Sequence, residues 1–274
     1  MHRQLAFRFA TLCYFATAGS ALCAEVAFKA LGEGLEVAEV RLPVASTDGD
    51  STVTVVRVDV RKRPLELFAA GALGRPNADA RAWAESEALA VVTNAAMFEL
   101  ADNRTPTGYT RVGTSTLNPK WKPSYKAALV FGPDDPKLPE AALLDFDCDD
   151  VKAQAARYRV VIQGLRMVDC QRHNTWAKSP KRWSAALVAV DGQGRVLFLH
   201  CRSPYTMQSL IAQLLALPLG ITRAMYLEGG PEASLLVSEG GTHLERLGSY
   251  ETGFNENDSN GRFWPIPNVL GVRR

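Results

Sequence analysis

The residues best suited to chemistry stand where apolar runs stop. Ala224-Met225-Tyr226-Leu227 reads as a buried strand, yet it ends on Glu228 and passes into Gly229-Gly230-Pro231. Buried strands do not ordinarily stop on a carboxylate. Two glycines permit positive φ and close backbone approach, and Pro231 fixes the chain leaving the turn, so Glu228 is offered at a strand tip where a cleft can use it. The plainer alternative is an acidic turn residue. Ala90-Val91-Val92-Thr93 likewise runs into Asn94, and Val160-Val161-Ile162 into Gln163-Gly164-Leu165-Arg166. Asn94 can grip a substrate hydroxyl or tie down its own turn; Arg166 can hold an anion or pair structurally. Arg182 stands just before a further strand, and Asn268 opens the last one.

The elements that must position these groups follow from periodicity. Residues 25–43 read as a strand pair around Gly32-Glu33-Gly34, and residues 52–60 alternate as a half-exposed strand, followed by Leu65-Glu66-Leu67-Phe68. Arg61-Lys62-Arg63 reads as a solvated turn. Asn77 is placed to cap a helix reaching Ser86 or Leu89. Residues 101–124 form a long polar connection, the kind that often walls a cleft. Residues 151–158 suggest a short helix. Residues 185–190 and 195–201 form a hairpin around Asp191-Gly192-Gln193-Gly194. Met207, Leu210, Ile211, Leu214 and Leu215 share a helical face, with Ser203-Pro204 as the expected start. Asp145, Asp147, Asp149 and Asp150 lack the glycine-bearing spacing of a calcium loop and read as a solvated acidic face. The pattern predicts an α/β chain of the α+β type, a mixed and mostly antiparallel sheet with a few packed helices, in one domain over residues 25–274.

Composition bounds the function. The chain has 274 residues, 31 basic and 29 acidic; residues 1–24 carry two arginines and no acid, which leaves 29 of each sign beyond them. That balance gives no nucleic-acid footprint. Residues 1–24 have the charged start, apolar run and small residues of a secretory signal, so the expected product is periplasmic or secreted, with no stable membrane insertion once the signal is removed. Cys148, Cys170 and Cys201 then remain, enough for one disulfide and one thiol, with the pairing open. A zinc site is not expected. Cys201 beside His200 makes a poor hydrolase pair, because adjacent strand residues point to opposite faces, and no Gly-x-Ser-x-Gly occurs.

Taken in order, these strand ends resemble the phosphodiester glycosidase family. Asn94-Ala95-Ala96-Met97-Phe98 is similar to the family's Asn-Ala/Gly-Gly-Met-Phe, with Gly108 following. Gln163-Gly164-Leu165-Arg166 resembles its Gln-Ser-Gly-Pro-Arg/Met-Leu region, and Arg182 the arginine of Arg-Thr-Ala-x-Gly. Leu227-Glu228-Gly229-Gly230 resembles Leu-Asp-Gly-Gly, and Pro267-Asn268-Val269-Leu270-Gly271-Val272 the family's Pro-Asn-x-Ile/Leu-Gly-Val. Three departures stand out: Glu228 for aspartate, Ala96 for glycine, and the altered Ser-Gly-Pro. A longer acidic arm moves its charge by about 1.5 Å, and a misplacement of that order can cost about a hundredfold in rate.

The resemblance implies a hydrolase that removes a sugar from a sugar-1-phosphodiester or related envelope glycan. In that reading Glu228 is the catalytic carboxylate, Arg182 and Arg166 meet phosphate, and Asn94, Gln163, Asn268 and the Gly229-Gly230 backbone hold the sugar. The second carboxylate is Asp169, Glu99, Glu232 or Glu251; Glu232 also suits capping if a helix follows Pro231. No organic cofactor is called for, and a divalent metal stays open. The rival reading is a non-catalytic periplasmic protein that binds a glycan or anionic polymer in the same cleft.

Overall fold

The structure is a computed structural model describing residues 25–274. The expected signal, residues 1–24, lies outside the described residues. In chain order the strands are β1 (Lys29–Gly32), β2 (Leu35–Arg41), β3 (Thr52–Val58), β4 (Leu65–Ala69), β5 (Leu89–Asn94), β6 (Thr110–Val112), β7 (Ser115–Asn118), β8 (Ala127–Pro133) and β9 (Ala141–Asp145). Then follow β10 (Tyr158–Gly164), β11 (Arg166–Val168), β12 (Trp183–Asp191), β13 (Val196–Tyr205), β14 (Ile221–Gly229), β15 (Ser234–Glu239), β16 (Thr242–Leu247) and β17 (Asn268–Arg273). Three helices intervene: α1 (Ala80–Ser86), α2 (Val151–Ala155) and α3 (Met207–Ala216).

The strands form three sheets, ordered β1-β2-β3-β13-β12-β14-β11, β7-β6-β10-β8-β9 and β16-β15-β5-β17-β4. Neighbouring strands run antiparallel throughout. Alternation sends one face of every sheet to a shared core, where Val56, Phe198 and Met225 of the first meet Leu129 and Ile162 of the second and Val91, Leu235 and Leu270 of the third. Each outer face is closed by one helix. Leu210, Ile211 and Leu214 of α3 cover the first sheet, Val151 and Ala155 of α2 the second, and Trp83 and Ala84 of α1 the third. The expected α+β architecture is therefore present as three antiparallel sheets around one core.

Several local expectations are corrected. α1 is capped by Asp79, which accepts from Ala82 N at 2.9 Å, whereas Asn77 donates to Asn103 O. Ser203 and Pro204 continue β13, because their backbone still faces the strand partner, and α3 begins only after Thr206 accepts from Ser209 N. No α-helix follows Pro231. A 3-10 turn, Gly230–Glu232, leads straight into β15. The long polar connection contains the β6–β7 hairpin. Arg63 is not solvated, being held between both oxygens of Glu239.

The aspartate cluster is solvated only in part, at Asp147 and Asp150. Asp145 is 2% exposed and pairs with Arg166, which also binds Asp147 at 2.7 Å, while Asp149 holds Arg223 at 2.6 Å. Cys148 and Cys170 form the disulfide beside it, leaving Cys201 buried and free.

Gln163, expected to hold a sugar, is instead the tie between β10 and the second sheet's loops. Its Oε1 accepts from Tyr109 N and Lys122 N, and its Nε2 donates to Lys122 O and Tyr125 O, all within 3.1 Å. A buried amide with every capacity used has nothing left for a ligand. Gln163→Ala would orphan four backbone groups, so it is expected to cost about 2–4 kcal/mol, seen as a lower denaturant midpoint at unchanged m-value.

Candidate active site

Glu228 sits where the β14 register breaks. Tyr226 pairs with Leu187 and Glu228 with Ala186, so Leu227 is an extra residue without a partner. Such a bulge interrupts strict alternation and re-aims the side chain beside it. Backbone crowding then encloses the tip. A β-carbon on Gly229 would overlap the Tyr226 hydroxyl and the Trp183 ring, one on Gly230 would overlap Glu251 Oε2, and one on Gly248 would overlap Gly230 O. Gly230 also has φ +61°, a left-handed conformation costly to other residues.

Three carboxyl groups meet around this turn, and none has a cation bound to it. Burial pushes Glu228 up to about 8, opposed by a bond from its own Gly229 N at 3.1 Å and reinforced by the nearby charges of Glu232 and Glu251. Glu228 keeps some solvent contact, but protein surrounds it closely enough to disfavour the ionised form. Glu232 is pushed up to about 7, and Glu251 is raised, each chiefly by burial. Groups coupled in this way titrate as a set.

An aromatic group adjoins the carboxyls. The Trp176 ring centroid lies 5.6 Å from Tyr226 and 6.4 Å from Trp183, and Trp183 meets Tyr226 edge-on at 6.5 Å. Met97 and Leu165 pack on the same cluster. Trp183 Nε1 is buried without a hydrogen-bond partner. Periodicity did not single out these aromatics. Trp176 is in a polar loop, and Tyr226 looks like any buried strand residue; only their nearness to Arg182 and Glu228 in sequence could have marked them.

The other expected site residues fall around this centre in different ways. Arg182 is joined to the Glu251 loop by paired bonds with Thr252, and its guanidinium reaches the Thr47 hydroxyl and lies 5.3 Å from the Tyr250 ring. Arg166 pairs in register with Met225, and Leu165 O accepts from Tyr226 N at 2.9 Å, which brings that turn against β14. Arg166 lines a cleft of about 280 Å3 with Lys126, Thr175 and Trp176. Asn94 accepts from Ser234 N with its Oδ1 and leaves Nδ2 buried and unpartnered; Asn268 Nδ2 is also unpartnered and lines a separate cleft with Arg104. Neither Asp169, which binds the 171–173 turn, nor Glu99, in the loop after β5, joins the glutamate trio.

Among the described residues, the group whose acidic, imidazole or thiol atoms crowd within 4.8 Å is Asp145 with Cys148 and Cys170, whose sulfurs are bonded to each other and so form no metal cage. His200 and Cys201 do not cooperate. His200 binds Ala233 O and is pushed down to about 4 by burial, and Cys201, in the core under α3, is pushed up to about 12.

A family model described as phosphodiester glycosidase matches residues 86–273, a span holding every candidate residue named above. The chain belongs to the phosphodiester glycosidase family. Family members are hydrolases, and the glutamate trio is therefore read against that reaction class. Among solved structures, the catalytic domain of zebrafish N-acetylglucosamine-1-phosphodiester alpha-N-acetylglucosaminidase, auto-inhibited by its pro-peptide, is similar in fold, with TM-score 0.60 at 13% identity over 91% of this chain and 88% of that one. A hypothetical protein from Synechocystis gives 0.59 at 13% identity, covering 92% of this chain and 64% of that one. No curated protein matches the chain.

The raised pKa of Glu228 makes a stability prediction. A carboxyl whose folded value lies above its unfolded one loses stability as pH climbs from about 4.5 to about 8. Glu228→Gln removes that loss. The melting temperature of the variant should exceed that of the wild type by about 2–8 °C at pH 8.5 and match it near pH 4.5, measured by thermal unfolding at both values.

Proposed function

We propose that the protein is an exported glycosidase that hydrolyses a sugar-1-phosphodiester, with Glu228 and Glu232 sharing the proton work. The observation that carries this reading is the convergence of Glu228 and Glu232 at a glycine-enclosed strand tip beside the partly exposed Trp176 and Trp183, where burial raises the pKa of both carboxyls. Perturbed carboxyls without a compensating cation are costly to stability and are concentrated at sites of proton transfer. Between about pH 7 and about pH 8 the pair holds one proton.

Cleavage breaks the bond from the anomeric carbon to phosphate oxygen, and water supplies the new bond, giving free sugar and a phosphomonoester. Phosphate is a good leaving group, so the ionised carboxylate does the larger share of the work by stabilising the oxocarbenium-like carbon or taking a proton from water. The protonated partner, Glu228 with the higher pKa, donates its proton to the leaving phosphate oxygen and reduces repulsion of the incoming anion. Trp176 and Trp183, both partly exposed, offer apolar faces to a sugar ring. Cations flank the aromatics on two sides, Arg182 beside the Glu251 loop and Arg166 with Lys126 in the adjoining cleft. The periplasm of a double-membrane cell suits both the export signal and an envelope substrate.

Release of reducing sugar from sugar-1-phosphodiesters tests the reading. The pH profile of kcat/KM should be bell-shaped, its limbs set by the pair near 7 and 8, and Glu228→Gln should lower turnover by about 10²–10⁴-fold. Binding of the sugar with no turnover at any pH from 5 to 9 would leave the glycan-binding role in its place.

A further inference from the structure

We propose that the substrate continues past the scissile phosphate into a second, cationic and aromatic cleft that takes another anionic sugar phosphate unit; the proposal rests on the glycosidase reading above. The first cleft, about 280 Å3, begins at Trp176 and is walled by Arg166 and Lys126. Lys126 is also a wall of a neighbouring cleft of about 300 Å3, lined with Trp121, Lys122, Tyr125, Phe146 and Lys152. The two share Lys126 and together run from Trp176, in the aromatic group beside Glu228, to the surface around Trp121 and Lys152.

Three lysines converge there with little to neutralise them. Lys126 meets Asp147 at 3.2 Å, an exposed pair that a phosphate can replace. Lys122 has no carboxylate partner; its ammonium lies 3.3 Å from the Tyr125 hydroxyl and 4.6 Å from that ring's centroid. Lys152, exposed on α2, has no ion pair among the described residues. Unpaired cations set among aromatic walls fit a ligand with alternating anionic and flat apolar faces. Phosphodiester-linked sugars have that form, since phosphates meet ammonium groups and sugar ring faces meet aromatic ones.

The cleft is also held in shape before any ligand arrives. Gln163 fixes the backbone of Lys122 and Tyr125, Gly108 allows the chain to pass close to Gln163 O, and Trp121 stacks on Tyr109 at 4.2 Å with Phe146 edge-on at 5.5 Å. Such pre-organisation lowers the entropy cost of binding. Stacking uses one Trp121 face, and the ring still borders the cleft. The structure thus assigns this surface to the aglycone, and a chain of sugar phosphates is preferred over a short ester.

The test compares two substrates that share the scissile bond: N-acetylglucosamine 1-phosphate esterified to methanol, and the same group esterified to a second sugar phosphate. The wild type should process the longer one with kcat/KM higher by about 10–100-fold, in line with about 1.4–2.7 kcal/mol of added contact. The double variant K122A/K152A should erase that preference while the methyl ester is turned over as before. Equal rates on both substrates in the wild type, or a preference that survives in the variant, would overturn the proposal. UDP-N-acetylglucosamine serves as a further arm, and a preference for it over the sugar phosphate chain would reassign the cleft to a nucleotide and so overturn the assignment as well. If neither ester is hydrolysed, the glycosidase reading has failed, and the cleft is judged by binding alone. Calorimetric binding of the longer ester that is lost in K122A/K152A would support it, and absence of binding to the wild type would sink it.

Discussion

Crowding three partly buried carboxyl groups around one turn is the constraint on which the site depends. Glu228, Glu232 and Glu251 are brought together by backbone contact that only glycine allows, since side chains on Gly229, Gly230 or Gly248 would collide with Tyr226, Glu251 or the turn itself. Among the described residues none of the three forms an ion pair, and the one cation that offsets the desolvation is Lys181, whose charge acts on Glu251 from a distance. The cost has to be met by the rest of the fold. The three-sheet core meets it: Met225 and Leu227 anchor β14 in the shared interior, and β12 and β11 hold it on either side. A tip pinned by so much buried apolar surface can hold strain and like charge that a free loop would relax.

Elsewhere charge is handled in the opposite way. Arg166, Arg223 and Lys126 share the aspartates of the 145–149 turn, and the Cys148–Cys170 disulfide fastens that turn to the loop after β11. Arg63 and Glu239 tie the first and third sheets together, as Arg246 and Glu39 do further along. Carboxylates in these places are satisfied and structural. The two most buried acids away from β14, Asp145 and Asp191, are each held by an arginine, whereas Glu228, Glu232 and Glu251 form no ion pair among the described residues, and that contrast is informative.

Much of this was legible in the sequence where a residue's type conflicts with its neighbours. Glu228 after an apolar run, and Asn94 at the end of another, mark strand tips because burial and polarity disagree there. The helix-facing pattern of Met207 to Leu214 and the Asp191 turn were equally clear, since both are local. What was hidden depended on distant partners. Gln163 looks like a ligand-gripping amide, but its four bonds run to residues 109, 122 and 125, and no spacing reveals them. Asp145 looks solvated until the fold brings Arg166 to it. Trp176 gains meaning only beside Tyr226, fifty positions later. Strands β15 and β16 were missed because Pro231 and Glu232 look like the opening of a helix, and pairing with β5 overrides that local preference.

The exchange of aspartate for Glu228 can now be weighed physically. An extra methylene would carry the charge outward by about 1.5 Å in an extended side chain. Here the side chain is turned back: Oε1 accepts from Gly229 N, the very next residue, at 3.1 Å. Such a local bond shortens the reach of the arm, and the bulge at Leu227 independently resets where the arm begins. Retaining the acid through a longer but folded arm keeps the carboxyl near the strand tip, where burial first and then Glu232 and Glu251 raise its pKa. An arm released from Gly229 would move toward water and lose that perturbation. The bond to Gly229 thus draws the longer arm back toward the strand tip.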